Sequence, residues 1–345
     1  MKPIHYFFFS IIIFLSTPIF AQTELLEARK LSRQGTAALD TSDLATAMRY
    51  FKAAQQLDTG NIIYRYQVAS VYFLENNFKQ SLKLVQPLLT HRDVSPNIIR
   101  LIANNYDHIG QQEKAIDLYK KGIELAPTDG KFYNELGTIY LMRKQNDLAA
   151  EYFEKGIDMD PALAINYYWA CKSLLQNHDY WWGLLYGELF LNMERSTSRT
   201  QEISKLLYKY YNEITQQGQD NLVRLRVTSQ KWQTKFEVAC QESWRIAATK
   251  PHDSQLLSLT ELRRSFLRTF KEKATKKSPS YVLLDFWAEI DENDYWEAYN
   301  FWLFNEGNPQ EFENWLEHNA PMFGRFITWF VQHPLEAKGK KVTRH

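Results

Sequence analysis

Cysteine is almost missing from this chain: Cys171 and Cys240 are the only two in 345 residues. Two thiols do not make a disulfide framework, and with no Cys-x-x-Cys pair and no His-Glu-x-x-His helix the usual zinc patterns are absent too. Both cysteines sit among apolar helical residues, where a free thiol behaves as a small hydrophobe. Glycine is scarce at 13 residues, with no Gly-rich phosphate loop and no Gly-x-Ser-x-Gly elbow, and the eight histidines are scattered singly. A turn histidine such as His178, between Asn177 and Asp179, reads as a surface residue. No cofactor, no metal and no catalytic residue is expected. Excess charge is lacking as well, since 41 Lys and Arg face 40 Asp and Glu, so no bulk field draws a polyanion and nucleic acid is not an expected partner.

Tryptophan is absent from the first half. All ten follow Tyr168, which marks the two halves as different in kind. Long apolar runs are absent after residue 21. Before it, Lys2 gives a positive start, Tyr6 to Leu15 an apolar stretch, and Ile19-Phe20-Ala21 a small residue fit for cleavage, so residues 1–21 are expected to be a targeting segment and the protein to be exported to the periplasm, cell surface or medium. Ile4 to Ala21 also just reaches spanning length, so membrane association follows only if this segment stays uncleaved.

What is present is a repeat. Small residues recur every 34 positions as Gly35, Ala69, Ala103 and Gly137, and again as Ala47, Ser81, Ala115 and Ala149. A bulky column runs Phe51, Val85, Tyr119 and Phe153, and an aromatic one Tyr72, Tyr106 and Tyr140. Where two helices cross closely only Gly, Ala or Ser fits, and large neighbours fill the space beside the crossing. The stretch Tyr133, Leu136, Gly137, Tyr140, Ala149, Phe153 and Pro161, preceded by Ile102, Ala103, Tyr106, Ala115, Tyr119 and Pro127, resembles the tetratricopeptide-repeat family. The resemblance covers residues 24–161 as four units, loosest at Leu88 and Asp93. A degenerate fifth pair is expected at Ala164 to Gln176 and Tyr180 to Asn192, with Cys171 in the small slot and Gly183 and Gly187 in place of Ala and an aromatic.

The family implies an all-α superhelix whose first helices line a groove for a protein or peptide partner. Carried over residue by residue, the groove face reads Ile63, Tyr66, Ser70 and Phe73 in the second unit, Asn97, Arg100, Asn104, Asp107 and His108 in the third, and Lys131, Asn134, Thr138 and Leu141 in the fourth. A family subclass clamps a terminal carboxylate with basic and Asn side chains. Arg100 and Asn104 fill two of those slots, but Glu135, Ile165 and Trp169 do not complete the set.

Residues 162–217 are expected to hold the fifth repeat and a capping helix, in which Ser198 and Gln201 form a capping box before Ile203, Leu206, Leu207, Tyr210 and Ile214. Alternation at Leu222 to Val227 predicts a short strand or hairpin near 221–228, with the domain boundary at Gly218. Residues 218–335 read as a mostly helical domain, with helices near Glu237 to Thr249, Ser258 to Lys273, Tyr281 to Ile290, Tyr295 to Phe304 and one opened by Asn308-Pro309 and closed at His333-Pro334. Lys338, Lys340, Lys341 and Arg344 make residues 336–345 a basic, disordered tail. The main functional expectation is a noncatalytic interaction protein. The alternative is an enzyme or glycan-binding domain built on Asp285, Glu289, Asp291, Glu292 and Asp294 beside Trp287 and Trp296, with the repeats as recruiter, although aromatics in this pattern usually fill a core.

Overall fold

The computed structural model describes residues 5–216, 243, 254–273, 281–337 and 343. Among these the chain is all-α, with fifteen α-helices and no strand. The expected strand near 221–228, most of the expected helix at Glu237 to Thr249, and Cys240 lie outside the described residues, as do residues 1–4 of the expected targeting segment. No described helix is long and apolar enough to cross a membrane.

Two compact units are present, Met1–Ala126 and Pro127–His345. The first holds α1 (His5–Asp40), α2 (Leu44–Leu57), α3 (Ile62–Leu74), α4 (Phe78–Val85) with a 3-10 turn at Gln86–Thr90, α5 (Pro96–His108) and α6 (Gln112–Leu125). The second holds α7 (Gly130–Met142), α8 (Asn146–Met159), α9 (Ala164–Gln176), α10 (Tyr180–Met193), α11 (Ser198–Gln216), α12 (Gln255–Lys273), α13 (Val282–Glu292), α14 (Trp296–Phe304) and α15 (Pro309–Gln332).

One turn joins the helices of every hairpin. Ser42, Asn76, Gly110, Lys144 and His178, each 34 residues from the last, all have φ between 59° and 80°. Each stops its helix by a left-handed step, after which the next N–H reaches back to the helix, as Asn77 does to the Tyr72 carbonyl and Asp179 to Leu174. His178 therefore marks α9 and α10 as a fifth hairpin of the same design. Asp294, with φ 60°, makes the same turn between α13 and α14, where Tyr295 N–H returns to the Ile290 carbonyl. A sixth hairpin of this geometry thus lies in the C-terminal region.

The small columns do what close crossing demands. Ala47, Ala69, Ser81, Ala103, Ala115 and Ala149 are sealed from solvent. A Cβ on Gly35 would stand 2.5 Å from Phe51 Cε1, and one on Gly137 would stand 2.5 Å from Phe153 Cε1, so within each unit the ring occupies the space that the missing side chain leaves.

In the second unit one buried core runs from Ala149 in α8 to Ala337. Its polar centre is Glu188 of α10, fully buried against Arg263 of α12 at 2.5 and 2.6 Å. Trp287 Nε1 of α13 and Tyr299 Oη of α14 also donate to Glu188 Oε1, at 2.6 and 2.7 Å, and Arg263 Nη1 donates to Asn300. The guanidinium lies 4.5 Å from the Trp287 ring centroid and faces Tyr211, Trp296, Tyr299 and Phe304 as well. Burial, with Glu188 adding to it, raises the Tyr299 pKa well above the phenol range, so the hydroxyl remains a donor. Four helices are tied to one carboxylate in this way.

Helix ends follow the expected chemistry with one shift. Asn308 caps α15, accepting from Glu311 N–H and donating to its carboxylate. At α11 the reciprocal pair is Thr197 with Thr200, not Ser198 with Gln201: Thr197 N–H donates to Thr200 Oγ1 at 2.8 Å, and Thr200 N–H to Thr197 Oγ1 at 3.3 Å. The cap sits one residue earlier because Ser198 is already the first helical residue. Near the C-terminus Ala337 and Thr343 are buried, and the Thr343 hydroxyl donates to Asp158 of α8; Lys338, Lys340 and Lys341 lie outside the described residues.

Candidate partner-binding faces

On α3, α5 and α7 one side packs on the neighbouring helices, and the candidate residues lie exposed or half-buried on the other. In the first unit, α3 carries Tyr66, Ser70 and Phe73 half-buried, next to Ile63 and Leu74, which are 54% and 52% exposed. Ser70 Oγ donates to the Tyr66 carbonyl, so its hydroxyl is spent on its own helix. Phe73 packs edge-on against Phe78 and His108, and His108 stacks on Phe78 at 4.3 Å.

On α5 of the same unit Asn97 is exposed, while Arg100, Asn104 and Asp107 are half-buried. Arg100 donates once, from Nη2 to Asn97 Oδ1 at 3.3 Å, and its Nε has no hydrogen-bond partner. It makes no ion pair among the described residues. Asn104 Oδ1 accepts from Tyr119 Oη at 2.8 Å, which assigns that side chain partly to the fold. Beneath this face Asn105 is buried and donates to Ser81 Oγ and the Leu101 carbonyl, locking α4 to α5.

In the second unit Lys131 is exposed and Asn134 half-buried, with Asn134 Nδ2 donating to Asn166 Oδ1 and Asn166 Nδ2 to the Gly130 carbonyl. Thr138 Oγ1 returns to the Asn134 carbonyl. Met142, at the end of α7, is 56% exposed. Further along, Tyr168 and Lys172 of α9 meet Glu202 of α11: Tyr168 Oη and Lys172 Nζ each donate to its carboxylate at 2.6 Å. Burial would raise the Glu202 pKa, but these hydrogen bonds outweigh it and hold the carboxyl below the usual range. Sequence reasoning named Ile165 and Trp169 on this helix and passed over Tyr168 and Lys172. Stepping the period from Asn134 and Thr138 gives Tyr168 and Lys172 directly.

The acidic residues proposed for chemistry do not converge. Asp285 and Glu289 are exposed, Trp287 and Trp296 are buried in the core, and Asp291 is paired with Arg264 Nε at 2.8 Å. Cys171 is a buried free thiol whose pKa burial pushes up, which makes it inert. No group of three or more His, Cys, Asp and Glu among the described residues could hold a metal ion.

Two family models for the tetratricopeptide repeat match the sequence, at residues 101–129 and 118–151. Residues 101–151 are tetratricopeptide repeats. Such repeats generally mediate protein–protein interaction. No curated protein matches the sequence. Among solved structures, Pseudomonas aeruginosa PilF aligns over 60% of this chain and 95% of its own at 17% identity, with a TM-score of 0.49. Desulfovibrio magneticus MamA aligns over 50% and 97% at 17% identity and 0.41. YrrB, described as a TPR protein with an unusual peptide-binding site, aligns over 53% and 94% at 15% identity and 0.38.

Proposed function

We propose that this chain is an exported, noncatalytic adaptor that binds a protein or peptide along the solvent side of its first-helix faces. One observation carries the reading. Ile63 and Leu74 stand exposed on α3, and on α5 of the same unit Arg100 spends one weak hydrogen bond of the five its guanidinium can make. Neither the packing of the hairpin nor any ion pair among the described residues uses these groups. A mixed apolar and polar strip of this kind fits an extended segment whose side chains alternate in character. Export rests on Lys2, the apolar stretch Tyr6 to Leu15 and the small residue Ala21.

Tyr66→Ala, Asn97→Ala and Arg100→Ala combined are expected to weaken partner capture without unfolding, because the buried Tyr64, Val68, Ile98 and Ile102 beneath them stay intact. Asn104 is left in place, since its oxygen holds Tyr119. An unchanged set of co-purified proteins, with helicity preserved, counts against the reading. Fractionation of producing cells tests export, and full retention in the cytoplasm refutes it.

A further inference from the structure

Between the end of α10, the first turns of α11 and the end of α14, the second unit holds a cavity of about 400 Å³, a volume that suits a small molecule. None of the candidate face residues lines it. Leu191, Trp302 and Leu303 form its apolar wall, and the one cation lining it is Arg195, half-buried in the loop 194–197. The guanidinium is fixed from two sides: Nε donates to the Asn192 carbonyl at 3.2 Å and Nη1 to the Phe330 carbonyl at 3.1 Å, with its carbon 3.8 Å from the Phe330 ring centroid. Nη2 makes no hydrogen bond among the described residues, and no carboxylate there pairs with Arg195.

The two carboxylates at this end of α11 have cations of their own. Arg199 Nε and Nη2 each donate to Glu194 at 2.9 Å, and Glu306, which lines the cavity, faces Lys205 at 4.0 Å. Burial pulls the Arg195 pKa below the usual guanidinium value, as expected of a charge that its surroundings leave uncompensated. Ser198, exposed and lining the cavity, opens the 19-residue α11, so the positive end of that helix adds to the field of Arg195.

We propose that this cavity binds a small organic monocarboxylate, with its oxygens accepting from Arg195 Nη2 and its hydrocarbon body against Trp302 and Leu191. One uncompensated cation balances one negative charge, and Glu306 in the same cavity opposes a second, which disfavours a phosphate dianion. The apolar wall beside the cation favours a ligand with a hydrocarbon body over a free inorganic ion.

Saturation-transfer NMR titration of the full chain with phenylacetate tests this, with phenylacetamide and phenyl phosphate as comparisons. Phenylacetate is expected to bind with a Kd of about 1 mM, and the other two about tenfold or more weakly. Arg195→Gln should abolish binding. Because that change also removes two hydrogen bonds to the fold, Ser198→Asp provides the second variant: from an exposed helix-start position it brings a competing carboxylate to the cavity. It should weaken phenylacetate by about tenfold or more with circular dichroism unchanged. No saturable binding at about 10 mM phenylacetate overturns the proposal. Phenylacetamide or phenyl phosphate binding as tightly as phenylacetate overturns the carboxylate assignment, and an unchanged affinity in Ser198→Asp overturns the site.

Discussion

Replacing Glu188 by Gln keeps the side-chain volume and removes one charge from a site with no solvent. Arg263, itself fully buried, is then left as an uncompensated cation inside an aromatic cage. Breaking one side of a buried pair costs about 3–5 kcal/mol, most of it the desolvated charge left behind. Trp287 and Tyr299 keep an amide oxygen to donate to, so the loss of their acceptor adds little. Since all ten tryptophans follow Tyr168, their fluorescence reports the second unit alone. With a urea slope of about 2 kcal/mol per molar, the midpoint should fall by about 2 M. Adding Arg263→Met to Glu188→Gln should recover part of the loss, because it removes the stranded cation while the amide oxygen still accepts from Trp287 and Tyr299. A loss under about 1 kcal/mol for Glu188→Gln, or a double variant as unstable as the single, would show that the carboxylate does not hold α10 to α12, α13 and α14.

Lys144 sits at φ 59° in the turn between α7 and α8, so Lys144→Gly should stabilise the second unit by about 1 kcal/mol, read as a raised melting temperature; a lowered one refutes the strain argument. Gly137→Ala should cost about 1–2 kcal/mol, because its Cβ meets the buried Phe153 ring, whereas Gly324→Ala, with open space around it, should gain up to about 1 kcal/mol; equal signs in denaturation would contradict the packing account. The depressed Glu202 pKa stabilises the folded state above the unfolded carboxyl value, about 4.3, and this contribution is lost as pH falls through the lower folded value. Glu202→Gln should therefore flatten the acid limb of the stability curve, and an unaltered limb refutes the contact with Lys172 and Tyr168.

The repeated half was legible because its packing is local and periodic. Gly35 against Phe51 and Gly137 against Phe153 are column partners that the 34-residue register exposes through spacing alone. The sixth hairpin stayed hidden because the register positions that elsewhere hold Gly and Ala hold Trp287 and Tyr299, whose side chains turn inward to Glu188. Only its turn, at Asp294, keeps the repeat geometry. Glu188 itself left a signal that periodicity does not register: it is the single charged residue in α10, a mostly apolar helix buried on every side. On the candidate faces, sequence position identified which side chains reach solvent but not how the fold uses them. Ser70, Thr138 and Asn104 are each committed to a bond within the protein, whereas Arg100 makes one long hydrogen bond to its neighbour Asn97.

In the proposed function, partners meet the solvent side of the first helices. A photo-crosslinking amino acid placed in turn at Tyr66, Asn97 and Lys131, in cells producing the full chain, tests this directly, with the exposed second-helix residues Lys121 and Glu124 as controls. Discrete crosslinked species from the first three positions and none from the controls are expected. Crosslinks from the controls alone, or none from any first-helix position, would contradict the account.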